Sequence, residues 1–83
     1  MTTRPKLKPE LEQHAHYLDG YRLAYEHFEV VDIFPQDSDF AAIIMHDKRP
    51  DSVKPWCVQY RGGGHYFGTR EELDTYCHSR KFY

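Results

Sequence analysis

Apolar residues near the start of the chain recur at steps of three and four, which is the spacing of one helical face. These positions are Leu11, Ala15, Leu18, Tyr21, Tyr25 and Phe28. Pro9 suits the first turn of a helix because the N–H that it lacks would have no partner there. The spacing therefore predicts a helix that begins at Pro9. Its end stays open between Asp19, where Asp-Gly is a turn dipeptide, and Phe28.

The following pattern predicts three or four short strands. FEVVDIFP, residues 28–35, is rich in β-branched and aromatic residues and stops at a proline. FAAIIMHD, residues 40–47, is an apolar run typical of a central strand with both faces covered. WCVQYR, residues 56–61, alternates between two faces, three glycines turn the chain, and HYFG, residues 65–68, returns as a short strand.

The last element has the clearest start signal. Thr69 and Glu72 fit a capping box, in which each side chain satisfies an N–H group of the other residue. The residues that follow at helical spacing are Leu73, Tyr76, Cys77 and Arg80. We therefore expect an α+β domain with an N-terminal helix, a three- to four-stranded antiparallel meander sheet and a C-terminal helix, in two layers. We expect residues 1–8 to form a flexible basic arm and residues 9–83 a single domain.

Composition is consistent with one small folded domain. Of 83 residues, 40% are hydrophobic and 16% aromatic, and large rings can build a core from few side chains. We expect Trp56, Tyr60, Tyr66 and Phe67 chiefly in the core, or divided, with Trp56 and Tyr60 inside and Tyr66 outside, or the reverse. No apolar run approaches the ~20 residues of a membrane span. We therefore expect a cytoplasmic protein with reduced thiols and no membrane partner.

Charge is distributed unevenly, although the formal net charge is only -2. No Lys or Arg occurs from Leu23 to Asp47. The acidic residues that we take as a candidate protein-binding surface are Glu26, Glu29, Asp32, Asp37 and Asp39. A stretch of one sign either keeps a strand edge solvated or faces a partner of opposite charge.

The segment YRGGGHYFGT suggests a different kind of site. A phosphate-binding loop needs G-x-x-x-x-G-K-[ST] followed at once by a helix, and both are absent. The glycines are therefore predicted to form a hairpin turn. Aromatic and basic residues on and near such a hairpin could still stack bases and contact phosphates. The candidate nucleic-acid-binding residues are Lys48, Arg49, Lys54, Arg61, His65 and Tyr66.

The predicted order helix–strand–strand–strand–helix is similar to that of double-stranded-RNA-binding domains. This resemblance lies at the level of topology. Domains of that family rely on a lysine-rich start of the final helix. Here the final helix starts with Arg70, Glu71 and Glu72, which places acid where phosphate would lie.

The histidines and cysteines do not have metal-site spacing. His14 and His16 are two residues apart and do not share a helical face. A zinc site would have to combine Cys57, Cys77 and His78, with no C-x-x-C pair. We expect no metal, no cofactor, no catalytic residue and no enzyme activity, because no nucleophile or paired-carboxylate motif appears. The two thiols are expected to meet in the core as small buried groups.

The pattern as a whole indicates a small non-catalytic protein-interaction module. Its acidic, tyrosine-bearing surface would dock on a basic groove of a larger protein or nucleoprotein complex. In size and charge pattern the chain is similar to phage and mobile-element accessory proteins, among them the anti-CRISPR inhibitors that occupy nucleic-acid channels. Two alternatives stay open: nucleic-acid binding by the Arg61–Tyr66 hairpin and the basic loops, and a homodimeric structural domain.

Overall fold

The computed structural model describes residues 7–18 and 27–83 of the protein. Its elements are a 3₁₀ helix (Pro9–Leu18), β1 (Phe28–Pro35), β2 (Ala41–Asp47), β3 (Trp56–Tyr60), β4 (Gly63–Phe67) and the helix α1 (Arg70–Ser79). The strands form one sheet in the order β1-β2-β3-β4, and each is antiparallel to the next. The predicted α+β class and antiparallel meander are confirmed.

The first helix is a 3₁₀ helix, stabilised at its start by a bond of 2.9 Å from the Leu11 N–H to the Lys8 carbonyl. Its buried residues are Leu11, Ala15 and Leu18, as the spacing predicts. Tyr21 and Tyr25 lie outside the described residues, and Phe28 begins β1 rather than continuing a helix. Leu7, which belongs to the predicted arm, is buried against the same cluster.

β2 separates two hydrophobic clusters. Alternate side chains of a strand point to opposite faces. Ala41, Ile43 and Met45 pack with the residues of the 3₁₀ helix in one cluster, the 3₁₀ cluster. Ala42 and Ile44 pack with α1 in the other, the α1 cluster. The prediction of a central strand with both faces covered is confirmed. The two helices pack in different clusters, so the two-layer arrangement is not shown.

The start of α1 is fixed by its cap. The Thr69 hydroxyl accepts the Glu72 N–H at 3.1 Å, which is one half of the predicted capping box. The Thr69 hydroxyl also lies 3.4 Å from the Glu72 carboxylate. From this start, α1 buries Leu73 and Cys77 in the α1 cluster.

The residues after α1 fold back onto the sheet. The rings of Tyr83 and Phe34 lie 4.2 Å apart, and the Gln36 amide donates to the Phe82 carbonyl at 2.9 Å. The Tyr83 hydroxyl donates to the Asp74 carboxylate. These contacts attach the end of the chain to β1 and to α1, and they close the α1 cluster on that side.

Replacing Leu73 with Ala should destabilise the fold strongly. Leu73 is fully buried between α1 and the sheet, and removing a buried leucine side chain costs about 2–5 kcal/mol. Urea denaturation measures the free energy of unfolding. Val53→Ala is the control, because Val53 is 86% exposed. Equal effects of the two substitutions would contradict the packing described.

Candidate interaction surfaces

β1 is an edge strand and carries two of the five predicted acidic residues, Glu29 and Asp32. A register shift between Val30 and Asp32 marks a β-bulge. Glu29 lies opposite His46, and Asp32 lies opposite Ile44. Since His46 and Ile44 are two residues apart, Glu29 and Asp32 lie on the same face of the sheet. In a regular strand, residues three apart would lie on opposite faces. We call Glu29, Asp32, Asp37 and Asp39 the acidic edge.

Local hydrogen bonds hold two of these carboxylates in place. Asp32 Oδ1 accepts the following backbone N–H at 3.1 Å. Asp37 Oδ1 accepts the N–H groups of Asp39 at 2.8 Å and Phe40 at 2.7 Å, which orders the β1–β2 turn. The Tyr17 hydroxyl donates to the Asp37 carbonyl at 2.8 Å. Asp32 and Asp37 therefore shape the backbone as well as carrying charge.

The other two described carboxylates face solvent. The Glu29 side chain is 59% exposed, and its Oε1 lies 3.7 Å from His46 Nδ1, an ion pair when the imidazole is protonated. Asp39 is exposed in the β1–β2 turn. Glu26, the fifth predicted acidic residue, lies outside the described residues. Sequence reasoning missed the bulge, and with it the grouping of Glu29 with Asp32.

The basic loop between β2 and β3 begins beside a buried carboxylate, that of Asp47, which forms an ion pair with Arg49. Asp47 is buried at the end of β2, and Arg49 donates to it at 2.7 Å from Nη2 and 3.0 Å from Nε. Hydrogen bonding to Arg49 holds the pKa of Asp47 well below its ordinary value of 3.8. Lys48 and Lys54 are exposed. Lys48, Arg49 and Lys54 lie before β3, whereas Arg61 lies directly after it. The predicted basic residues are therefore at opposite ends of β3.

β3 and β4 form the predicted hairpin. Arg61 and Gly62 occupy its two central positions with φ of 51° and 81°, and positive values at both positions are typical of a type I′ turn. Only the first glycine of the run is in the turn, because Gly63 and Gly64 belong to β4. A Cβ at Gly64 would lie 2.8 Å from Gln59 Nε2.

The candidate rings of the hairpin do not form one stacking platform. His65 lies on the α1 face, with its ring 4.9 Å from that of Tyr76. Tyr66 pairs with Cys57 and therefore lies on the face of the 3₁₀ cluster. A nucleic acid that stacked on one of these two rings would not reach the other from the same face.

The aromatic residues of β3 and β4 follow the predicted alternative in which Trp56 and Tyr60 face inward and Tyr66 faces outward. Trp56 and Phe67 are half-buried in the α1 cluster. Tyr60 is half-buried, with its ring 4.9 Å from that of Phe82. Tyr66 is 50% exposed. The sheet therefore uses most of its rings for packing and presents one of them to solvent.

The thiols do not meet, contrary to the expectation. Cys57 belongs to the 3₁₀ cluster and Cys77 to the α1 cluster, so β2 and β3 keep them on opposite faces. The set Cys57, Cys77 and His78 is not assembled, and residues 7–18 and 27–83 contain no metal-binding group of three or more ligands. Burial raises the pKa of both thiols, that of Cys57 to about 11, so both remain protonated at neutral pH.

Comparison with known proteins assigns the chain to no family. No protein-family model matches it, and no curated protein or solved structure matches it. The chain has four strands between its two helices, whereas the topology that resembles double-stranded-RNA-binding domains has three. Within the part of the chain that the structure describes, no helix has the length and apolar character needed to cross a bilayer.

Replacing Asp47 with Asn should remove a stabilising contribution that depends on pH. Because the pKa of Asp47 is lowered in the folded chain, its ionised form stabilises the fold above pH 3.8, and this contribution is lost as the pH falls below that value. Asp47→Asn should therefore unfold at less urea than the wild type at neutral pH, and the difference should shrink in acid. Asp39→Asn is the control. A difference between Asp47→Asn and wild type that stays constant with pH would be the contrary result.

Proposed function

We propose that the protein is a small non-catalytic interaction module that docks its acidic edge on a basic surface of a larger protein. One observation supports this most. The bulge in β1 groups Glu29 with Asp32 on one face of an edge strand, within a segment that has no Lys or Arg from His27 to Asp47. Such a surface attracts cationic groups and repels anionic ones.

The acidic edge is suited to binding because part of it is already ordered. The bonds to Asp32 and Asp37 fix these carboxylates before any partner arrives. A side chain that is held in place loses little entropy on binding. Glu29 and Asp39, which are exposed, would then make the contacts that set the rate of association and its dependence on salt.

A basic groove that holds nucleic acid is the kind of partner surface that this edge fits. Arginine and lysine side chains that contact phosphates also form charge-assisted hydrogen bonds with carboxylates. An inhibitor that occupies such a groove, in the manner of anti-CRISPR proteins, is therefore the role that we propose.

Reversing the two exposed charges should weaken partner binding. Glu29→Lys combined with Asp39→Lys places like charges against a basic partner, so affinity should fall at least about tenfold. Asp32 and Asp37 are left unchanged because they order the backbone. The measurement is retention of partner protein by the immobilised chain, followed through a salt gradient.

The matched control combines Glu10→Lys with Glu12→Lys, which reverses two exposed charges on the 3₁₀ helix. This variant should retain the partner as the wild type does, and circular dichroism checks that both variants fold. Loss of a partner in both variants would mean that net charge alone, and not the acidic edge, governs binding. Retention in both would refute the proposal.

A further inference from the structure

β4 is the second edge of the sheet, and no other described strand pairs with its outer side. Tyr60 and Gly63 flank the two-residue turn and exchange the hydrogen bonds that close it. Hydrogen-bonded and non-hydrogen-bonded pairs alternate along an antiparallel ladder. Gly64 and Tyr66 therefore direct their N–H and C=O groups away from β3. Among the described strands, only β3 pairs with β4.

β4 lacks the features that usually protect an edge strand. Edges are protected by lysines, prolines or bulges. β1 has a bulge and ends at Pro35, whereas β4 reads GGHYF and its register with β3 is regular. Tyr66 and Val53 are the only large hydrophobic residues exposed in the described part of the chain. The Tyr66 ring thus lies beside backbone groups with which no other described strand pairs.

We propose that β4 pairs in antiparallel fashion with β4 of a second copy of the chain, with His65 on the two-fold axis. This register aligns the whole of both five-residue strands. Gly64 then lies opposite the partner's Tyr66, and Tyr66 opposite the partner's Gly64. These are the two residues whose backbone groups point outward, so each exchanges both hydrogen bonds with its opposite residue. The two sheets become one continuous sheet.

The shape of the edge is self-complementary in this register. Gly64 has no side chain, and the nearby Gln59 amide leaves little room for one on its own strand. The partner's Tyr66 would cover this bare stretch of backbone, as an aromatic residue opposite an edge glycine does in other sheets. The two-fold axis repeats this contact, and both exposed tyrosines are partly buried.

The charges near the ends of β4 are complementary in the same register. The antiparallel overlap brings the turn at Arg61 close to the end of the partner's β4, where α1 begins. The first turn of α1 carries the exposed Glu71 and Glu72. A parallel arrangement would instead bring the two Arg61 side chains together, and like charges opposed across a sheet are destabilising.

Sedimentation velocity over a range of concentrations tests the oligomeric state. Wild type should sediment as a dimer, at twice the 9.9 kDa of the chain. Gly64→Pro removes an outward N–H and no hydrogen bond to β3, although the Gln59 side chain must move away from its ring, so this variant should be monomeric. Circular dichroism checks its fold. Tyr66→Ala keeps the backbone groups and should weaken the dimer roughly tenfold.

A cross-link tests the register. At the axis, the two Cα atoms of residue 65 would lie about 4.5 Å apart, which a disulfide can span. His65→Cys should therefore form an interchain disulfide under oxidised glutathione. Ser38→Cys, exposed in the β1–β2 turn, should not. The native cysteines are both buried, which keeps the background low.

Three results would overturn the proposal. These are a wild type that is monomeric at all concentrations, a dimer in which His65→Cys does not cross-link, and assemblies that grow beyond the dimer through pairing of β4 with β1. Pairing through β4 is also separate from the acidic edge. Glu29→Lys with Asp39→Lys should still dimerise, and Gly64→Pro should still bind a basic partner.

Discussion

Burial of β2 on both faces decides how the other elements can pack. Small domains bury a limited share of their surface, and this chain divides its core between two clusters on opposite faces of β1, β2 and β3. Ile43 on one face and Ile44 on the other are both completely buried. The two helices therefore cover opposite faces of the sheet, the 3₁₀ helix against β1 and α1 against β3 and β4. The outward backbone edges of β1 and β4 are left for other uses.

The two edges differ in chemistry. β1 has a bulge, a terminal proline and carboxylates, so it resists strand pairing but attracts cations. β4 has bare glycine backbone and an exposed tyrosine, so it is suited to strand pairing. If β4 joins two copies, the acidic edges lie at the two outer ends of the joined sheet. A partner with two basic surfaces could then be bound at both, which raises the effective affinity.

Short-range sequence patterns predicted the features that depend only on neighbouring residues, namely the central strand and the start of the last helix. The apolar run ending at Asp47 indicated the central strand, and Thr69 marked the start of α1. Long-range packing decided the rest. The bulge after Val30 and the separation of Cys57 from Cys77 depend on which strands pair and on which faces are covered. Asp47 was visible as an acid two residues before Arg49, yet its burial follows only from the neighbouring strands.

The same limit applies to the candidate surfaces. Sequence grouped acidic residues by their nearness along the chain, whereas the bulge and the turn decide which of them are exposed and which order the backbone. Amide hydrogen exchange along β2 tests whether the core is shared across this strand. The amides of residues 42–45 should exchange only through global unfolding, with a free energy equal to that from denaturation. Exchange there as fast as in the β1–β2 turn would contradict a core shared across β2.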